Sequence, residues 1–135
     1  AIVSFKTRSY PVLIEALKHT EERIRRHACD LLIRLGEDML VQKLLKILND
    51  RNNFLRENIA RILGKIGDGK VVEALIHLLQ DRNSGVRRTA AESLGMLKDI
   101  RAIVGLKQAE RDQTREVRQA ASIALQEIFK AHKLS

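Results

Sequence analysis

A chain of 135 residues is long enough for one domain that buries roughly two thirds of the surface its unfolded form exposes, so no disulfide or metal staple is required. Apolar residues make up 44% but aromatics only 3%, with one Pro and seven Gly, a composition that suits a Leu, Ile, Val and Ala core on helices and is too poor in turn residues for an all-β fold. The net charge of +8 admits acidic partners or nucleic acid if the excess is clustered. The lone Cys29 makes no internal disulfide, no apolar run is long enough to span a bilayer, and no signal-like segment opens the chain. A reducing, cytoplasmic setting is expected. The sequence begins at Ala1 rather than Met, as a processed protein or a piece of a longer one would.

Residues 1–9 read as a lead-in whose Ile2, Val3 and Phe5 are expected to cover the first structural unit. From Tyr10 onward the chain repeats every 31 residues. Arg25, Arg56, Arg87 and Arg118 are identical, as are Leu32, Leu63, Leu94 and Leu125, and Leu13, Leu44, Leu75 and Leu106. Ile24, Leu55, Val86 and Val117 agree in type, and Asp50, Asp81 and Asp112 form a shorter series. The units are 10–38, 39–69, 70–101 and 102–135, each with two apolar patterns of helical period around a polar turn. In the third, helices are expected over Val71 to Leu79 and Val86 to Leu97, joined by the turn 81–85. Gly36 and Gly67 follow second helices, where left-handed caps are usual. The fourth unit puts Lys107 and Glu110 at positions that are apolar elsewhere, which suits a terminal cap, so any missing repeats are expected on the N-terminal side.

Val72-Glu73-Ala74-Leu75-Ile76-His77-Leu78-Leu79-Gln80-Asp81 followed by Val86-Arg87-Arg88-Thr89-Ala90-Ala91-Glu92-Ser93-Leu94-Gly95 resembles HEAT repeats, most closely the short type named after phycobilisome lyases. The resemblance runs from Tyr10 to Phe129 and implies an all-α fold, a right-handed α-solenoid of four stacked helical hairpins, that serves as scaffold or binding surface. It also implies a structural role for the turn aspartate and the arginine six residues later, here Asp50 with Arg56, Asp81 with Arg87 and Asp112 with Arg118. His19 breaks that series in the first unit. Oxygenases of this family hold iron with His-Glu pairs, and the present sequence has no His-Glu dipeptide.

The four evenly spaced arginines therefore read as a structural ladder and not as a phosphate track. Cys29 shares a helix position with Ala60, Ala91 and Ser122 and reads as a packed thiol. His19, His27, His77 and His132 never fall at i, i+4 spacing, and no phosphate loop or nucleophile elbow is present, so neither a metal, a cofactor, a small-molecule substrate nor catalysis is expected.

The second helices are expected to line a concave face. Opposite their core stripe lie Arg26, Asp30 and Ile33; Glu57, Arg61 and Gly64; Arg88, Glu92 and Gly95; and Gln119, Ile123 and Gln126. Arg26 with Asp30, Glu57 with Arg61 and Arg88 with Glu92 make i, i+4 pairs of alternating polarity, which fits a solvated surface that pairs with itself. A groove for a partner protein fits as well, with Gly64 and Gly95 as its shallow floor and Ile33 and Ile123 as apolar contacts near its ends. These six charges sum to zero, so excess positive charge lies elsewhere, on an edge formed by Arg51, Arg82, Arg111 and Arg115 with Lys43, Lys46 and Lys107. That edge is the alternative site, for phosphate, nucleic acid or an acidic protein, although aromatic residues to stack on bases are lacking. A further alternative, from the resemblance, is a non-catalytic subunit of a lyase-type complex.

Overall fold

The structure, a computed structural model, describes residues 5–67 and 69–134. Its long helices are α1 (Phe5–Ala16), α2 (Glu22–Leu35), α3 (Asp38–Lys46), α4 (Asn53–Ile66), α5 (Val72–Leu78), α6 (Ser84–Leu97), α7 (Ile103–Ala109) and α8 (Arg115–Ala131). Single 3-10 turns at Gly69–Val71 and Ile100–Ala102 lead into α5 and α7. The result is an all-α solenoid of four hairpins, with no strand among the described residues. Helix α1 begins at Phe5, inside the stretch expected as a lead-in. The cover expected from Ile2, Val3 and Phe5 lies outside the described residues and side chains.

One core runs the length of the stack, because every apolar series of the repeat points into it. Leu44, Leu75 and Leu106 are fully buried, as are Leu63 and Leu94, while Leu13, at the open end, is only partly covered. Asparagines start two of the second helices: Asn52 accepts from the Leu55 N–H and Asn83 from the Val86 N–H, satisfying donors that a helix N-terminus leaves free. Gly36 ends α2 at φ +44°, in the left-handed region. Gly67 does not share that conformation: its backbone is extended, and glycine is required because a Cβ there would run into the Leu63 carbonyl and Val71. The left-handed cap of the third repeat is Lys98, at φ 55°.

The repeats are joined by a ladder whose stagger differs from the pairing inferred from the sequence. Arg56 does not bind the carboxylate of Asp50, six residues before it. Its Nη1 donates to the Asp50 backbone oxygen at 2.8 Å, while Nε and Nη2 clamp the Asp81 carboxylate of the next repeat at 2.9 and 3.0 Å. Arg87 does the same with the Asp81 carbonyl (2.8 Å) and the Asp112 carboxylate (2.9 and 3.2 Å). Each arginine thus reads its own turn through the backbone and the following turn through a charge. A two-toothed guanidinium–carboxylate bond is directional enough to fix the register of two hairpins. Both partners of the first rung are nearly buried, at 3% and 8% side-chain exposure, so removing one would strand the other without solvent.

Helix-to-helix approach is set by small residues. A Cβ on Gly64 would lie 2.8 Å from the Ser93 Cα, and one on Gly95 would lie 3.0 Å from the Ala124 Cα. Ser93 Oγ also donates to the Ala60 carbonyl at 2.7 Å, tying α6 to α4. Both glycines are buried at these contacts, so the floor of a groove is not what Gly64 supplies. At the outer side of the last repeat, Lys107 lies 5.8 Å from the Phe129 ring centre and Glu110 accepts from Ser122 at 2.8 Å, a polar covering over α8.

Burial alone would raise the pKa of Asp81, but the Arg56 hydrogen bonds, the Asn83 N–H and the arginine charge hold it below the usual carboxylate range; Asp112 is held down in the same way by Arg87 and Thr114. A carboxylate whose folded pKa is depressed stabilises the fold above its unfolded value and loses that stabilisation as pH falls through the folded one. Urea unfolding across a pH series should therefore show stability dropping below about pH 4. In a doubly substituted Asp81→Asn, Asp112→Asn chain, the neutral-pH stability should be lower and the acid slope flatter.

Candidate functional site

The second helices α2, α4, α6 and α8 carry two adjoining cavities that meet at Arg88. The first, of about 250 Å³, is walled by Glu22, Arg26, Asp30, Glu57, Arg61 and Arg88, with Arg25, Cys29 and Asn58 completing it. The second, about 640 Å³, is lined by Arg88, Glu92, Gly95, Met96, Lys98, Glu116, Gln119, Ala120, Ile123, Ala124 and Glu127. Nine of the twelve residues expected on this face, Gly95 among them, therefore line one cavity or the other. Gly64, Gln126 and Ile33 do not, and Ile33 is partly buried and packed against the core. Of the expected charge pairs, Glu57–Arg61 (3.9 Å) and Arg88–Glu92 (3.6 Å) are present. Arg26 turns the other way and binds Glu22, one turn earlier, at 3.0 Å, in place of Asp30. Glutamate N-terminal to a cation at this spacing is the favoured order on a helix, and Glu22–Arg26 has it.

The small charged cavity sits where the ladder is incomplete. Arg25 Nη1 donates to the carbonyls of His19 (2.7 Å) and Thr20 (2.9 Å), and its guanidinium lies 3.8 Å above the Phe54 ring. Phe54 stands where Gly85 stands one repeat later. Asp50, the carboxylate that the stagger would assign to Arg25, is instead approached by Lys18 at 3.7 Å. His19 still performs half of the missing aspartate's work, since its Nδ1 accepts the Glu21 N–H at 3.0 Å as Asp50 Oδ1 accepts that of Asn52 at 2.9 Å. Ile33 also occupies the position that Gly64 and Gly95 hold later, so α2 lacks the small residue that lets α4, α6 and α8 come close.

The larger cavity is different in chemistry. Met96 and Ile123 are 43% and 60% exposed on its walls, with Ala120, Ala124 and Gly95 beneath. Met96, Lys98, Glu116 and Glu127 were not picked out from the sequence; the outward-facing positions of α6 and α8 held the signal, but the depth between those helices depends on packing.

On the basic edge, Arg51, Arg82 and Arg111 are exposed in the turns, and Arg82 reaches the Arg51 carbonyl at 3.5 Å. Arg115 is the first residue of α8. A cavity of about 480 Å³ on this edge holds Arg82, Arg87 and Arg111 together with Asp81 and Asp112. Arg87 is committed to the Asp112 carboxylate there. Among the described residues, no group of three or more His, Cys, Asp or Glu is placed to hold a metal ion, and no helix is long and apolar enough to cross a membrane.

The family model for HEAT repeats matches residues 41–126, more than half of the sequence. The chain belongs to the HEAT-repeat family. It is similar to a chain in the solved complex of CpcE and CpcF of phycocyanin lyase from Nostoc sp. PCC7120, with 26% identity and a TM-score of 0.84, covering 95% of this chain and 82% of that one. It also shares its fold with human deoxyhypusine hydroxylase solved in complex with glycerol (23% identity, TM-score 0.72, covering 96% of this chain and 47% of that one). A third likeness is to an engineered protein (22% identity, TM-score 0.56, covering 92% of this chain and 64% of that one). No curated protein matches the sequence.

Cys29 reports on the incomplete junction. It is 2% exposed, and burial pushes its thiol pKa up against the pull of the Arg61 charge, so alkylation requires α2 to lift from α4. Native-state labelling should then depend less steeply on urea than global unfolding does, because only the first repeat opens. Labelling with the full urea dependence of unfolding would mean that the first junction is as firm as the others.

Proposed function

We propose that this chain is a non-catalytic binding module that holds a partner protein along the second-helix face. The observation that carries the proposal is the clustering of Arg26, Asp30, Glu57, Arg61, Arg88, Glu92, Gln119 and Ile123 around two continuous cavities, one charged and one largely apolar. A surface whose charges served only to pair with each other would not need the exposed Met96 and Ile123 beside them. One neighbour of known structure is a chain in a complex of two proteins, which agrees with a subunit of a lyase-type assembly as the setting.

The basic edge is the weaker candidate. Its arginines are spread over successive turns, Asp81 and Asp112 lie among them, and no aromatic side chain lines its cavity.

The test is affinity capture from lysate after nuclease treatment, with three forms of the chain: wild type, Arg61→Glu with Glu92→Arg, and Arg51→Glu with Arg82→Glu. A protein retained by the wild type and the edge variant but lost from the second-helix variant supports the proposal. Material lost on nuclease treatment, or retained by the second-helix variant and lost from the edge variant, moves the site to the turns.

A further inference from the structure

The two cavities do not ask for the same chemistry. The smaller one is rich in arginine, with Arg25, Arg26, Arg61 and Arg88 around Glu22, Asp30 and Glu57, and pairs Arg26 with Glu22 and Arg61 with Glu57. In the larger one, Glu92 is taken by Arg88 at 3.6 Å, which leaves Glu116 and Glu127 of α8 facing a single further cation, Lys98. The chain as a whole carries +8, so a cavity with residual negative charge runs against the rest of the surface. Its apolar part is concentrated between those carboxylates, in the exposed Met96 and Ile123 with Ala120 beneath. On α8, Glu116, Gln119, Ile123 and Glu127 are spaced three or four residues apart and so form one stripe along the helix.

Resting on the second-helix face as the binding surface, we propose that the α6–α8 cavity receives a helical segment of the partner that presents a large apolar residue flanked by lysine or arginine. The apolar side chain enters between Met96 and Ile123, where desolvation of both surfaces supplies the attraction. The flanking cations meet Glu116 and Glu127, which set orientation and reject acidic segments. A cavity of about 640 Å³ has room for one or two such side chains, and the methionine wall adapts to their shape. The net positive charge elsewhere repels a basic segment from other docking sites, which confines it to this acid-edged cavity.

The experiment is an amide NMR titration of the whole chain with two synthetic helical peptides that share a leucine stripe, one flanked by lysines and the other by glutamates. The lysine peptide should shift the amides of Met96, Gln119, Ile123 and Glu127, and the glutamate peptide should bind at least about tenfold more weakly. Glu116→Lys with Glu127→Lys should reverse that order. Ile123→Ser, which leaves the charges alone, should weaken both peptides; all three substituted positions are exposed, so a matching thermal melt serves as the folding control. Equal binding of the two peptides, or no reversal in the charge variant, overturns the inference. If only the glutamate peptide binds, and shifts amides of α2 and α4 around Arg26 and Arg61, the inference fails while the second-helix face stands. Shifts confined to the turns around Arg82 and Arg111 would remove both.

Discussion

The clamp of Arg56 on Asp81, repeated by Arg87 on Asp112, is the constraint from which the rest of the stack takes its register. A hairpin of two short helices cannot bury both of its faces, and it gains stability only when its neighbour stacks in a defined position. Apolar contacts supply the attraction but little direction. Direction comes from a guanidinium that holds its own turn by a backbone oxygen and the next turn by a carboxylate, so that adjacent turns are locked at a fixed offset. With turns fixed, α4, α6 and α8 approach closely enough to require Gly64 and Gly95, and the outward-facing positions of successive helices fall into line.

The candidate binding face follows from this geometry. Where the clamps are complete, α6 and α8 lie close and the surface between them is apolar at its base, giving the larger cavity. Where the clamp is missing, between α2 and α4, Ile33 takes the place of glycine, Arg25 rests on Phe54, and a small charged cavity stands in the gap. Two kinds of recognition are therefore available on one surface, a directional charged one toward the N-terminal end and an apolar, acid-edged one toward the C-terminal end. The first repeat lacks the clamp that ties the others, so the width of the small cavity, which spans α2 and α4, is the dimension of the face most open to adjustment on binding.

Much of the fold was legible because the 31-residue period carries it: a Leu that recurs without insertion four times must face the same core four times. The stagger of the ladder was not legible. Spacing shows that Arg56, Arg87 and Arg118 each follow an aspartate by six residues, but periodicity is blind to whether Arg56 and Arg87 reach the near aspartate or its copy 25 residues ahead, since both lie at repeat-related positions. The glycines show the same limit. Gly64 and Gly95 stood out as costly residues inside helices, yet whether a missing Cβ opens a groove or admits a neighbour depends on packing: Gly64 admits Ser93, while Gly95 admits Ala124 and also lines the base of the larger cavity. Arg26 chose Glu22 over Asp30 because both lie one turn away and side-chain reach along the helix decides between them. His19 departs from the pattern in type but keeps the turn bond, a substitution visible only once Nδ1 is seen accepting the Glu21 N–H.

The most direct test of the central claim is a pair of double-mutant cycles on chain stability, one joining Arg56→Met with Asp81→Asn and the other joining Arg56→Met with Asp50→Asn. Asparagine can keep the turn bond at either position; at residue 81 it removes the charge and, because its amide nitrogen cannot accept, one of the two oxygens that Arg56 grips. A staggered ladder predicts a coupling of about 2–3 kcal/mol between Arg56 and Asp81, with a much smaller coupling between Arg56 and Asp50, whose contact with the guanidinium is through the backbone. Equal couplings, or a larger one for Asp50, would mean that the repeats are not held in register by this clamp.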